Sequence, residues 1–346
     1  MRALTATLLA SSALALAVGP AHAQTAIAPY TLSVFATAPA GLGAPDSLAV
    51  IGQNVFVGYG DGQKPDGSDG LNTQIVEYNA AGKALRTFSV PGHNDGLKAD
   101  PSTHRLWALQ NEDGNSNLVI IDLHDMHERK LAFTQFPHGG GYDDMVFLRC
   151  KVLISASNPA NNPNTAPAIV SVTLGAGSVN VSPFLMANAQ ATDIPTGAVG
   201  TLNLQDPDSM TLDPLGDIVL DSQADQELIV VSHPGGANQR VLHLPLTYQT
   251  ATGPMPVEVD DTNFATSSQG FILFSDKGAN TIYRLDKAAW APGAAYTSAD
   301  GGPFVGTLDM STGVIAPIVT GVKAPGGLIF VDTSMPHPAE PENHCE

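Results

Sequence analysis

A short acidic element recurs along the chain and restricts what it can fold into. It reads Pro45-Asp46-Ser47-Leu48, Asn94-Asp95-Gly96-Leu97, Tyr142-Asp143-Asp144-Met145 and Pro207-Asp208-Ser209-Met210, and more loosely Asp260-Asp261-Thr262-Asn263. A sixth copy, Pro325-Gly326-Gly327-Leu328, keeps the frame without the acid. The copies lie about 50 to 65 residues apart, the spacing of a repeat architecture. After each comes a series of short apolar runs between turns, in the second copy at 106–109, 118–121 and 130–136. Four short strands per period, with Gly-rich turns and little helical periodicity, make the pattern of a propeller blade. A solenoid uses shorter repeats. A sandwich would not return a fixed Asp-x-hydrophobic element at the start of every fourth strand.

The fold class read from this pattern is all-β, a single β-propeller over residues 24–334, with six blades expected and five the alternative. In the fifth period the runs at 271–274, 282–285 and 314–319 are read as second, third and fourth strands. That leaves the last blade two evident strands, an inner one at 328–331 and an outer one at 30–35. Bringing the chain ends together there would close the ring and remove open sheet edges.

Two frames carry a family resemblance. Asn94-Asp95-Gly96-Leu97-Lys98-Ala99-Asp100-Pro101 and the stretch from Pro207-Asp208-Ser209-Met210 through Asp213-Pro214-Leu215-Gly216-Asp217-Ile218 resemble the NHL repeat. The layout of the whole chain is similar to six-bladed propellers of the gluconolactonase, regucalcin-like and strictosidine synthase-like group. The resemblance implies a metal-dependent lactonase or esterase, with Asp143 and Asp208 as metal ligands and Asp261 as the base. The chain departs from that family in its near-complete ring of Asp, where the family mixes Glu, Asn and Asp.

Composition narrows the function classes. The 15 Lys and Arg stand against 33 Asp and Glu, a formal net charge of -18. Phosphate backbones and anionic membrane surfaces need clustered cations, so nucleic acid is excluded as a partner. Cationic partners, divalent metals first among them, remain open. Residues 1–23 begin with Arg2, continue through an apolar stretch and end in Ala21-His22-Ala23, the pattern of a cleaved export signal. A periplasmic or secreted monomer without membrane insertion is expected, followed by a Pro-rich tail at 335–346. Export permits a disulfide, and the two cysteines, Cys150 and Cys345, either pair or remain one buried and one tail thiol.

In a propeller the entrances of the innermost strands converge on one mouth of the central channel. Asp46, Asp95, Asp143 and Asp208 are the expected metal ligands there, with Asp261 as fifth member and candidate catalytic base. Calcium is the expected cofactor, since hard cations take six to eight oxygens. The competing reading has these carboxylates accepting backbone N-H groups and locking blade to blade. Loops after the second strands supply Gln110, Asn111, Asn158, Gln223 and Asp276 as ligand-binding candidates, for a small molecule or a protein partner. The Gly-rich acidic loop 61–70 lacks EF-hand spacing, and His124, His127 and Glu128 fall at a hairpin tip. No Gly-x-Ser-x-Gly, His-Glu-x-x-His or phosphate-loop motif occurs.

Overall fold

The computed structural model describes residues 23–100 and 102–334. The fold is an all-β propeller whose strands group into quartets, each read from channel to rim. The first quartet is Pro45–Ile51, Asn54–Tyr59, Asn72–Tyr78 and Ala84–Pro91. The second is Asn94–Asp100, Arg105–Gln110, Asn117–Asp122 and Glu128–Phe133. The third is Met145–Leu148, Lys151–Ser155, Pro167–Leu174 and Ser178–Met186. The fourth is Pro207–Leu212, Ile218–Ser222, Glu227–Ser232 and Arg240–Pro245, with the hairpin Gln190–Asp193/Val199–Thr201 added at its rim.

The last two quartets exchange strands. Asp261–Phe264 is the inner strand of the fifth, but its neighbours are Ala295–Ala299, Phe304–Leu308 and Val314–Thr320. The intervening hairpin, Gly270–Asp276 and Thr281–Asp286, belongs to the next sheet. There it lies between the C-terminal inner strand Pro325–Asp332 and the N-terminal outer strand Thr31–Thr37. The expectation that 271–274 and 282–285 continue the fifth period is therefore corrected. These runs fill the sheet that had seemed to lack two strands. The physical reason is burial: Phe271 through Asp276 is buried on both faces and suits a sheet centre shared by both chain ends. The strand Ala295–Ala299, mostly small residues, gave too weak an apolar signal to be noticed. The two chain ends share this sheet without pairing directly.

The core lies between sheets. Each of the apolar clusters draws on two successive quartets, as where Leu153 and Ile169 meet Met210, Leu220 and Ile229. The cluster around Phe35, Tyr59, Tyr78 and Leu273 joins the last quartet to the first and so closes the ring. Middle strands are buried on both faces, which explains runs such as Val55 to Tyr59 without polar alternation. Rim strands such as Ala84–Pro91 alternate instead. Cys150 is held in a disulfide; the signal-like residues 1–22, the tail from 335 onward and Cys345 lie outside the described residues.

Phe274 is fully buried in the exchanged hairpin and stacks on Tyr283. Phe274→Ala is expected to cost about 3–5 kcal/mol in urea unfolding. Leu215→Ala, at a residue 86% exposed, is expected to stay within about 0.5 kcal/mol.

Candidate metal centre at the channel mouth

The inner strands begin with a local irregularity. In the first, second and fourth quartets the register slips between Pro45 and Leu48, Asn94 and Leu97, and Pro207 and Met210. The last quartet slips at the corresponding place, between Pro325 and Leu328. A bulge of this kind frees residues from strict alternation and re-aims side chains. The second and third residues of the repeated element are thereby gathered at the same channel mouth.

Asp46, Asp95, Asp143 and Asp208 occupy this mouth as expected from their frame. The fifth member is Asp260, one residue before the one read from sequence. Equivalent backbone bonds fix the register. Asp143 N and Asp260 N donate to the carbonyls of Ser155 and Ser298, while Asp144 N and Asp261 N donate to the hydroxyls of those same serines. Asp261 therefore matches Asp144 and sits one position further along its strand. Its Oδ2 accepts Leu328 N of the next quartet at 2.8 Å, just as Asp144 Oδ2 accepts Met210 N at 2.9 Å. The blade-locking role considered for the ring falls on these two residues.

The sixth position of the ring is Gly326, and Lys277 takes the space. A Cβ on Gly326 would come within 2.9 Å of the Lys277 stem and 2.8 Å of Asp46 Oδ1. Lys277 Nζ lies 3.2 Å from Asp46 and 3.0 Å from Asp260. Its backbone is fixed by Asp276, which accepts hydrogen bonds from Ala279, Lys323 and Ala324 N-H. Asp276 thus holds the lysine turn, and its carboxylate is spent there.

Lys277 pairs with one side of the ring and leaves the other without a bonded cation. Carboxylate oxygens of Asp95, Asp143 and Asp208 lie within 4.8 Å of one another, and Asp46, His93 and Asp95 form a second such group. Asp143 is 5% exposed and its Oδ1 has no hydrogen-bond partner. Burial, then the neighbouring Asp208 and Asp95, push its carboxyl well above the usual range. Asp208 is raised by burial and by Asp95 and Asp260. An adjoining cavity of about 20 Å³, lined in part by Asp95 and Asp143, has room for one ion-sized or water-sized guest. An unpartnered buried oxygen among clustered carboxylates matches the donor set of a hard divalent cation.

Around the ring the sequence candidates divide. Asn111, at φ 67°, is a brace: Oδ1 accepts His93 N and Nδ2 donates to Asn115 O. Gln110 is fully buried and donates to Leu109 O. Asn158 donates to Asp113 and Gln223 to Asp300. Sequence reading missed His93 and Lys277 and did not single out Glu112. His93 Nε2 lies 3.5 Å from Glu112 Oε2, and burial, followed by Asp95 and Asp46, pushes the Glu112 carboxyl up. The acidic loop at 61–70 spends its carboxylates on backbone N-H groups, Asp61 on Gly43 N, Asp69 on Lys64 N and Leu71 N, and Asp66 on Ser68 N.

No protein-family model matches the chain, and no curated protein matches it in sequence. Among solved structures it is similar to a streptogramin B lyase, at 10% identity over 87% of this chain and 91% of that one, with a TM-score of 0.46. Virginiamycin B lyase from Staphylococcus aureus gives 9% over 89% and 90%, TM-score 0.48. The periplasmic gluconolactonase of Pseudomonas aeruginosa gives 14% over 83% and 88%, TM-score 0.43. At such identities no residue role passes from these proteins to this chain.

The ring makes stability depend on pH. Burial raises Asp46 to about 6, and Asp260 and Asp261 to about 7, in each case against an ordinary 3.8, with the nearby lysine only partly offsetting it. Each carboxyl holds its proton more tightly folded than unfolded. Stability from these groups is complete below about pH 4 and is lost as pH rises through 6 to 7. The melting temperature of chelator-treated protein is expected to fall between pH 5 and 8. A flat or rising profile would contradict the placement of these carboxyls.

Proposed function

We propose that this chain is an exported six-bladed propeller that holds one divalent cation, calcium by its all-oxygen donors, against Asp95, Asp143 and Asp208 and binds a small oxygen-rich ligand beside it. The observation that carries this reading is the Asp143 Oδ1 without a hydrogen-bond partner, within a carboxylate trio to which Lys277 makes no ion pair. Mutual repulsion of carboxylates at separations near 5 Å costs roughly 3 kcal/mol per pair at an effective dielectric of 20. A resident cation removes that cost and supplies an electrophilic centre when bound. Export rests on the signal pattern of residues 1–23, and among the described residues no helix is long and apolar enough to cross a membrane.

A hydrolytic reading is favoured by one further contact. His93 belongs to the second carboxylate group and faces Glu112, so a proton carrier stands at the edge of the trio. Asn111 fixes the His93 backbone from both sides, accepting its N-H and donating to its carbonyl. Such a histidine can take a proton from water and return it to a leaving alkoxide, as opening a lactone or cleaving an ester requires. In this reading His93 replaces Asp261 as base, because Asp261 lies deeper and is bound to Leu328 N.

Calorimetric titration of chelator-treated protein with calcium is expected to show one site and a higher melting temperature. Asp143→Asn should weaken binding by at least about tenfold, the loss of a charged ligand. No heat and no thermal shift with calcium or magnesium would refute the cation site. For the hydrolytic reading, turnover of lactones or aryl esters with added metal should fall about a hundredfold in His93→Gln, with cation affinity little changed. Inactivity across the panel in the presence of bound cation would leave the protein a binder.

A further inference from the structure

The channel has a second end. The fifth residues of the repeated elements, Ala49, Lys98, Val146, Thr211, Asn263 and Ile329, line a cavity of about 300 Å³ away from the acid ring. That volume is at the lower end for small-molecule sites. Its walls are mainly aliphatic, with Val50, Leu212 and Phe147 alongside. Lys98, Leu48 and Asp261 line both this cavity and the small acid-lined one, and so form the septum between them.

The polar groups at the septum do not balance. Lys98 Nζ is committed to Asp144 Oδ2 at 2.7 Å. Asp261 Oδ2 is committed to Leu328 N, and Asp221 Oδ1 to the Thr262 hydroxyl. Asp261 is only 9% exposed, and its Oδ1 has no partner. One ammonium thus faces three carboxyls, and two buried acceptors among them, Asp144 Oδ1 and Asp261 Oδ1, lack a donor; of these two residues Asp261 is the one that also lines the apolar cavity. Leaving such an acceptor unmade is expensive, whereas a charge-assisted donor at that point would be well placed.

We propose that this end of the channel is a second ligand site, which takes a small primary ammonium carrying a compact apolar body. The head donates to Asp261 Oδ1 and the body fills the aliphatic walls. The site is independent of the cation at the opposite mouth, from which the septum separates it.

The test uses n-hexylammonium as probe, with n-hexanol and hexanoate as controls of like shape, in titrations of chelator-treated and calcium-saturated protein. Saturable one-to-one binding of the amine in both states is expected, with the alcohol and the acid weaker by at least about tenfold. Asp261→Asn should weaken the amine by a similar factor. Since that change touches a blade lock, Thr211→Phe, which narrows the cavity and leaves the septum intact, provides the second variant and should also weaken it about tenfold. No saturable binding up to about 10 mM, equal binding of the alcohol, or unchanged affinity in Thr211→Phe would overturn the proposal. Loss of amine binding on adding calcium would overturn its independence.

Discussion

One ammonium among five carboxylates organises the mouth of this propeller. Lys277 enters where the repeat would have placed a sixth acid, and Gly326 leaves it the room. Because it reaches Asp46 and Asp260 but is not bonded to Asp95, Asp143 or Asp208, it divides a ring of like charge into a neutralised half and an open half. A symmetric ring would offer a cation several equivalent seats. In the proposed reading the divided ring favours the side of Asp95, Asp143 and Asp208. The lysine turn is in turn fixed by the buried Asp276, so a residue remote from the trio sets which acids the ammonium pairs with.

A second layer along the channel performs a different task with the same residue types. Asp144 and Asp261 each spend one oxygen on the N-H of the next sheet, and Lys98 lies between the acids to which it couples. Burial alone would draw the proton from Lys98, and Asp144, Asp261 and Asp221 together reverse this and raise it. The two aspartates of the Tyr142-Asp143-Asp144 element thus separate into a candidate ligand and a lock. The N-H groups of both bond to Ser155, which keeps both at one mouth where regular alternation would have sent neighbours to opposite faces.

The propeller and most of the ring were legible because they follow from period and frame. Asp46, Asp95, Asp143 and Asp208 sit where the repeated element puts them, and each inner strand begins there. Asp260 was misassigned by one residue because its copy lacks the Leu or Met that marks the fourth position elsewhere, and two consecutive acids fit either register. The strand exchange between the last two sheets was not legible at all. It depends on which sheet buries Phe271 to Phe274 more completely, a tertiary choice that no local pattern encodes. Lys277 and His93 were missed for a related reason. Each lies outside the repeated element: His93 stands just before the second copy, and Lys277 meets Asp46 only where the last quartet closes on the first. The polar loops misled in the opposite direction, for Asn111 and Asp276 have their side chains committed to backbone groups and act as braces.

In the proposed function Lys277 leaves one seat for a cation, at Asp95, Asp143 and Asp208. A crystal structure of calcium-soaked protein tests it most directly. One ion bound by Asp95, Asp143 and Asp208 is expected, with Lys277 still between Asp46 and Asp260. An ion seated between Asp46 and Asp260 with Lys277 displaced, or a mouth without bound calcium at millimolar concentration, would contradict it.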